Sequence, residues 1–178
     1  MKKNLVARLM VFLIVICCGC QVYSMVVLEN PEFPDSLLPT KLSDNLQNKY
    51  SLGEVTVHPR INYADSDQKT FKLFIVFFSK TNSPVVSIKA LTVSVNGKKL
   101  EYGKEIIGKS GSAWKLYPAN KPFYASHISG AAINLSKKEM VESKVNLSLN
   151  VSVKKDNGKV VEKKIEAYFL SKKKSYIE

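Results

Sequence analysis

Hydrophobic and polar residues alternate most regularly toward the end of the chain, where Val145, Leu147, Leu149, Val151 and Val153 are interleaved with Asn146, Ser148, Asn150, Ser152 and Lys154. Successive side chains of an extended strand point to opposite faces, so this pattern predicts a strand with one buried and one wet face. Asp156-Asn157-Gly158 then turns the chain into Val160 to Leu170, where Ile165, Ala167 and Phe169 share a face. Earlier, Thr70 to Ser79 carries Phe71, Leu73, Phe74, Ile75, Val76, Phe77 and Phe78. That run is too continuous for a strand wetted on one side and predicts a central strand of the core, its β-branched and aromatic content favouring strand over buried helix. Val85 to Val95, Asn96-Gly97 and Lys98 to Tyr102 give the clearest hairpin signal. Asn-Gly accepts the positive φ that both central positions of a type I′ turn require.

Weaker patterns complete the set. Leu52 to His58 predicts a strand ending before Pro59, and Ile106 to Tyr117 and Phe123 to Leu135 predict less regular strands bent at Gly108, Gly111 and Gly130. Ser136-Lys137-Lys138-Glu139 has capping-box spacing and predicts a short crossover helix between sheets. Leu42 and Leu46, one helical turn apart after Pro39, allow a short docked helix. About seven strands with hairpin turns and one crossover predict an all-β, two-sheet sandwich of immunoglobulin-like or transthyretin-like type. The expected organisation is a leader over 1–19, a tether or extended arm over 20–49 interrupted by Pro31, Pro34 and Pro39, and a body over 50–178 ending in a basic tail, Lys172-Lys173-Lys174. A body of that size buries about two-thirds of its unfolded surface and needs no staple.

The leader has a basic start in Lys2, Lys3 and Arg8, an apolar run from Leu9 to Ile16, and a small-residue end at Cys18-Gly19-Cys20. Ile16-Cys17-Cys18-Gly19-Cys20 resembles the lipobox of bacterial lipoproteins. Gly19 and Cys20 match, Cys18 is an acceptable small residue, and Cys17 departs from the usual Leu. The resemblance implies that the Cys20 thiolate takes a diacylglyceryl group, that signal peptidase II cuts before it, and that the freed amine is then acylated. Several acyl chains exceed the two-signal threshold for stable anchoring, at about 0.8 kcal/mol per buried methylene. Gln21, rather than Asp, implies outer-membrane sorting in a Gram-negative host, with the body facing the periplasm. Two other fates stay open: cleavage after Val22-Tyr23-Ser24 to release a soluble protein, and retention of Leu9 to Leu28 as an uncleaved anchor of about 20 residues. All three place the body outside the cytoplasm.

All three cysteines, Cys17, Cys18 and Cys20, lie at the end of the leader, so cysteine is used for targeting and the body holds no disulfide. The chain carries a formal charge of +12; without Lys2, Lys3 and Arg8, 24 basic residues face 15 acidic ones, leaving +9. Outside the cytoplasm such a surface favours lipid headgroups, cell-wall polymers or an acidic protein and not nucleic acid, although solvated lysines on outward faces account for it more simply.

Chemistry is sparse. His58 and His127 are the only histidines, without a Cys or carboxylate cluster at metal-ligand spacing, so neither metal nor other cofactor is expected and each histidine is read as a surface or satisfied-core residue. Ser112 and Lys115 have Ser-x-x-Lys spacing, but Ser152 and Lys155 repeat it within a strand, which marks it as chance in a Lys-rich chain. The candidate binding surface is Trp114, Tyr117, Phe123 and Tyr124 around Pro118 and Pro122, with Lys115 and Lys121 interleaved. Such a group can dock a protein or stack on a sugar ring, or pack inward as core.

These features point to a non-enzymatic, membrane-anchored envelope lipoprotein that binds a protein partner. One version resembles, at the level of class, the immunity lipoproteins that neutralise toxin effectors of type VI secretion systems, and its partner would be the cognate toxin. A structural accessory lipoprotein of a secretion or pilus assembly and a cell-wall or glycan binder are the alternatives.

Overall fold

Wherever the sequence alternates cleanly, the chain is strand. The computed structural model describes residues 22–63, 70–100, 104–111, 113–117, 123–134 and 143–177. The chain falls into two compact units, a body spanning Val27–Lys172 and a smaller unit formed by the two chain ends. Within the smaller unit, 22–26 and 173–177 are extended. No helix among the described residues is long and apolar enough to cross a membrane.

The elements in order are β1 (Val22–Glu29), α1 (Asp44–Tyr50), β2 (Ser51–Leu52), β3 (Val55–Tyr63), β4 (Thr70–Ser79), β5 (Val85–Val95), β6 (Lys98–Leu100), β7 (Ser110–Gly111), β8 (Lys115–Leu116), β9 (Tyr124–Asn134), β10 (Lys144–Lys154) and β11 (Val160–Ile177). They form one antiparallel sheet of 11 strands in the order β6-β5-β10-β11-β1-β3-β4-β9-β8, with β2 on β3 and β7 on β5. The fold is all-β and sandwich-like, with α1 the only α-helix among the described residues. The expected crossover helix at Ser136 to Glu139 lies outside them.

The sheet doubles over because its flanks meet at β7. Ser110 and Gly111 pair with Ser87 and Val86 of β5. From the other side Gly111 is approached by β9, so that a Cβ there would lie 3.0 Å from both Ser126 Oγ and Val86 Cγ2. A side chain there would require both neighbours to give way by a few tenths of an ångström, so glycine suits this close approach of the two flanks. The inward faces then fill the core. Phe71, Ile75 and Phe77 of β4, Val55 and Val57 of β3, Val145, Leu149, Val151 and Val153 of β10, and Ile165 and Phe169 of β11 are all buried. Each large side chain removed from water contributes about 1.5–3 kcal/mol.

β5 shows why its sequence lacks a clean period. Opposite β10 the register shifts between Asn150, which faces Ala90, and Val151, which faces Ile88. The extra residue, Lys89, switches the inward face from Val86 and Ile88 to Val93 and Val95.

Four expectations need correction. The strand expected to stop before Pro59 runs through it as β3: Pro59 falls between Val55 and Thr56, which β2 pairs, and Ile61, which β1 pairs. Ile106 to Tyr117 is not one strand but a 3₁₀ turn at Lys104–Ile106 followed by the two-residue strands β7 and β8. β4 is half-wetted for most of its length, with buried and half-buried positions alternating until Phe77, Phe78 and Ser79 are all buried. The basic tail is not frayed, since β11 continues through Lys172-Lys173-Lys174 to Ile177.

Candidate interaction surface

The segment before β3 folds onto the outer face of β3 and β4, which is why β4 becomes buried on both sides at its end. Asn30 and Pro31 start the turn: the buried Asn30 Oδ1 accepts the backbone N–H groups of Glu32 at 3.0 Å and Phe33 at 3.3 Å. This places the Phe33 ring flat on the His58 imidazole, with Tyr50 meeting Phe33 edge-on at 5.5 Å. Tyr50 closes the clasp by donating to Glu32 Oε2 at 2.8 Å while accepting from Asn30 Nδ2 at 3.1 Å. Lys49 bonds the same Glu32 oxygen at 2.5 Å. Burial works to raise the Glu32 carboxyl, but the Lys49 and Tyr50 hydrogen bonds outweigh it and hold the group below its ordinary value. Lys163 reaches over from β11 to the carbonyls of Asn48 and Ser51, satisfying the end of α1.

His58, Asp35 and Arg60 bring together residue types that serve catalysis elsewhere. Here the imidazole is wholly buried and both its nitrogens are used: Nε2–H donates to the Phe33 carbonyl at 2.9 Å, and Nδ1 accepts from Arg60 Nε at 3.3 Å. Burial first, and then the Arg60 charge, push the His58 pKa down to about 3, against the opposing pull of the Phe33 carbonyl. Arg60 Nε in turn lies 3.5 Å from the Asp35 carboxylate. A neutral histidine sealed under a phenylalanine holds the clasp and has no access to a substrate. His127, by contrast, is exposed on β9. Among the described residues no group of three or more His, Cys, Asp or Glu could hold a metal ion.

The sequence-derived aromatic and basic group is divided by the structure. Trp114 is half-buried and its Nε1–H donates to the Pro84 carbonyl at 2.7 Å, which pins the indole to the loop between β4 and β5. Tyr117 N–H donates to the Phe123 carbonyl at 2.8 Å, and the Tyr117 ring meets Phe78 edge-on at 5.5 Å. Phe123 and Phe78 line a groove of about 340 Å³ together with Pro39, Glu54 and Lys80. Tyr124 pairs with Leu116, and Lys115 pairs with Ala125. Lys121 and Cys20 lie outside the described residues.

Between these two anchor points runs β8, the last strand of the sheet order. Lys115 is exposed, and Leu116 is 65% exposed, the most open of the large hydrophobic residues on the described surface. Among the described residues no strand pairs with the far side of β8, where an end strand offers backbone N–H and C=O groups, and here an apolar side chain accompanies them. Sequence reasoning missed Leu116, since a single leucine between lysine and tyrosine carries no period. It also missed the Asn30–Tyr50 clasp, although Asn30-Pro31 is a recognisable turn signal. No protein-family model matches the chain, and neither the curated proteins nor the solved structures contain a match.

Proposed function

We propose that the chain is an exported, lipid-anchored binding protein of the bacterial envelope, without chemistry of its own, whose body holds a protein partner along β8. The observation that carries this reading is the coincidence of the last strand of the sheet order with the exposed Leu116, flanked by Trp114 fixed on Pro84 and Tyr117 fixed on Phe78. Anchored aromatic side chains beside an exposed apolar one are the usual makings of a recognition surface, because little side-chain entropy is lost on binding. The lipobox-like end of the leader supports the anchor at Cys20, and the sealed state of His58 supports a role in binding over one in catalysis. In its most concrete form the partner is a secreted toxin that the protein neutralises.

The test is a pull-down from detergent-solubilised envelopes with the native lipidated protein, using Leu116→Asp as the edge variant and Cys20→Ala as the unanchored control. A single stoichiometric partner that Leu116→Asp loses supports the reading. Recovery of a set of assembly subunits, or of the same partner by both forms, contradicts it.

A further inference from the structure

On the outer face of β5, β10 and β11, three strands bring a strip of polar side chains into register. Ser94, Asn146 and Tyr168 lie in one row, and Thr92, Ser148 and Glu166 in the next. Lys49 of α1 also lines the resulting groove, whose volume is about 380 Å³. That volume falls in the lower part of the range of small-ligand sites, about 300–1,000 Å³.

Three properties restrict what such a groove can hold. First, among the described residues the side chains of Thr92, Ser94, Asn146 and Ser148 make no hydrogen bond, although Ser94, Asn146 and Ser148 are half-buried. Two serine hydroxyls, a threonine hydroxyl and a carboxamide therefore offer donors and acceptors to whatever lies above them. Second, the two charged side chains that line the groove are each paired, despite the +12 of the chain: Glu166 with Lys164 at 2.5 Å, and Lys49 with Glu32 at 2.5 Å. An anionic polymer therefore meets no unpaired cation among the residues that line the groove. Third, β10 is laddered on both sides, by β5 and by β11, so a peptide cannot add as a strand over this face and recognition rests on side chains alone. Tyr168, one side of whose ring faces the Lys144 ammonium 5.4 Å from its centroid, places an aromatic ring beside the hydroxyl and amide floor.

From these features we infer that the groove binds a short stretch of neutral saccharide, through Asn146 and the hydroxyls to its polar groups and through Tyr168 to the apolar face of a ring. The site lies on a different part of the sheet from β8, so it stands or falls independently of the protein-binding reading.

The experiment is a titration of the full-length chain, purified in a non-glycosidic detergent, with chitotetraose, cellotetraose and a sulfated tetrasaccharide, read by amide chemical shifts. The expected result is a saturable shift of Ser94, Asn146, Ser148 and Tyr168 with at least one neutral tetrasaccharide. Its affinity should drop about tenfold in Asn146→Ala, as expected for loss of a bidentate amide contact, and should stay unchanged in Leu116→Asp. Ser148→Ala, a smaller change on the same wet face, serves as the second variant and should weaken binding in the same direction. The proposal is overturned by an absence of saturable shifts at ~10 mM of either neutral probe, by shifts that survive both variants, or by tighter binding of the sulfated probe.

Discussion

The Phe33 ring lies on the His58 imidazole with 3.7 Å between centroids and 2° between planes, and the carbonyl of the same Phe33 accepts the His58 Nε2–H at 2.9 Å. One residue thus covers the histidine and fixes its tautomer, joining the segment ahead of β3 to the outer face of the sheet. The clasp makes the stability of the protein depend on a proton it does not bind.

The pH dependence has a definite sign. The folded-state pKa of His58 is pushed down to about 3 from an ordinary 6.5, so below 6.5 the unfolded chain binds a proton that the folded chain refuses. Stability contributed by the neutral ring is whole above 6.5 and declines as pH falls toward 3, at up to about 1.4 kcal/mol per pH unit. Glu32, held below its ordinary 4.5, loses its contribution only in the more acid part of that range. Urea midpoints between pH 4.5 and 6.5 should therefore fall steadily in the native protein. The slope should be much reduced in His58→Asn, and an equal slope in that variant would rule His58 out as its source.

Tyr50→Phe removes the hydroxyl that accepts from Asn30 and donates to Glu32, leaving a buried amide donor unsatisfied. The expected loss is about 1–3 kcal/mol in chemical denaturation. Phe33→Ala, which uncovers both His58 and Tyr50, should cost more, about 3–5 kcal/mol. If both variants unfold like the native protein, the clasp does not contribute to stability.

The β5–β6 turn holds Asn96 at φ 49° and Gly97 at φ 83°, and Asn96 Oδ1 accepts the Lys144 N–H at 2.8 Å. Gly97→Ala should cost about 1–2 kcal/mol, and Gly97→Asn less, because asparagine tolerates the left-handed region. Thermal unfolding that ranks alanine above asparagine would contradict a turn governed by backbone conformation.

Metabolic labelling with a radioactive fatty acid reads the leader. Label should enter the native protein and Cys17→Ser and Cys18→Ser variants, and be lost from Cys20→Ser. Label retained by Cys20→Ser would remove the lipobox reading.

How much of this was legible from the sequence varies with distance along the chain. β4 and β5 begin and end where their patterns do, and β10 extends its pattern by only one residue at the start, because alternation and flanking turns act locally. The partners of those strands are not local: β5 joins β10 across about fifty residues, and no pattern within either strand names the other. The clasp was hidden for the same reason, since Phe33 and His58 are 25 positions apart and Phe33 belongs to no alternating run that would bring it to the strand of His58. In the candidate surface, residue types were readable but their partners were not. Trp114 found a loop carbonyl 30 positions away at Pro84, and Tyr117 found Phe78, dividing a group that looks continuous in sequence. The groove over Asn146 and Ser148 was visible only as the wet half of an alternation, and its lack of internal hydrogen bonds required the structure.

The binding role is tested most directly by placing a photo-crosslinking amino acid at position 116 in the lipidated protein in living cells, with position 160, where Val160 is 53% exposed on β11, as the control. A single protein adduct formed from position 116 and absent from position 160 is the predicted result. Equal crosslinking from both positions, or none from 116, would contradict a partner held along β8.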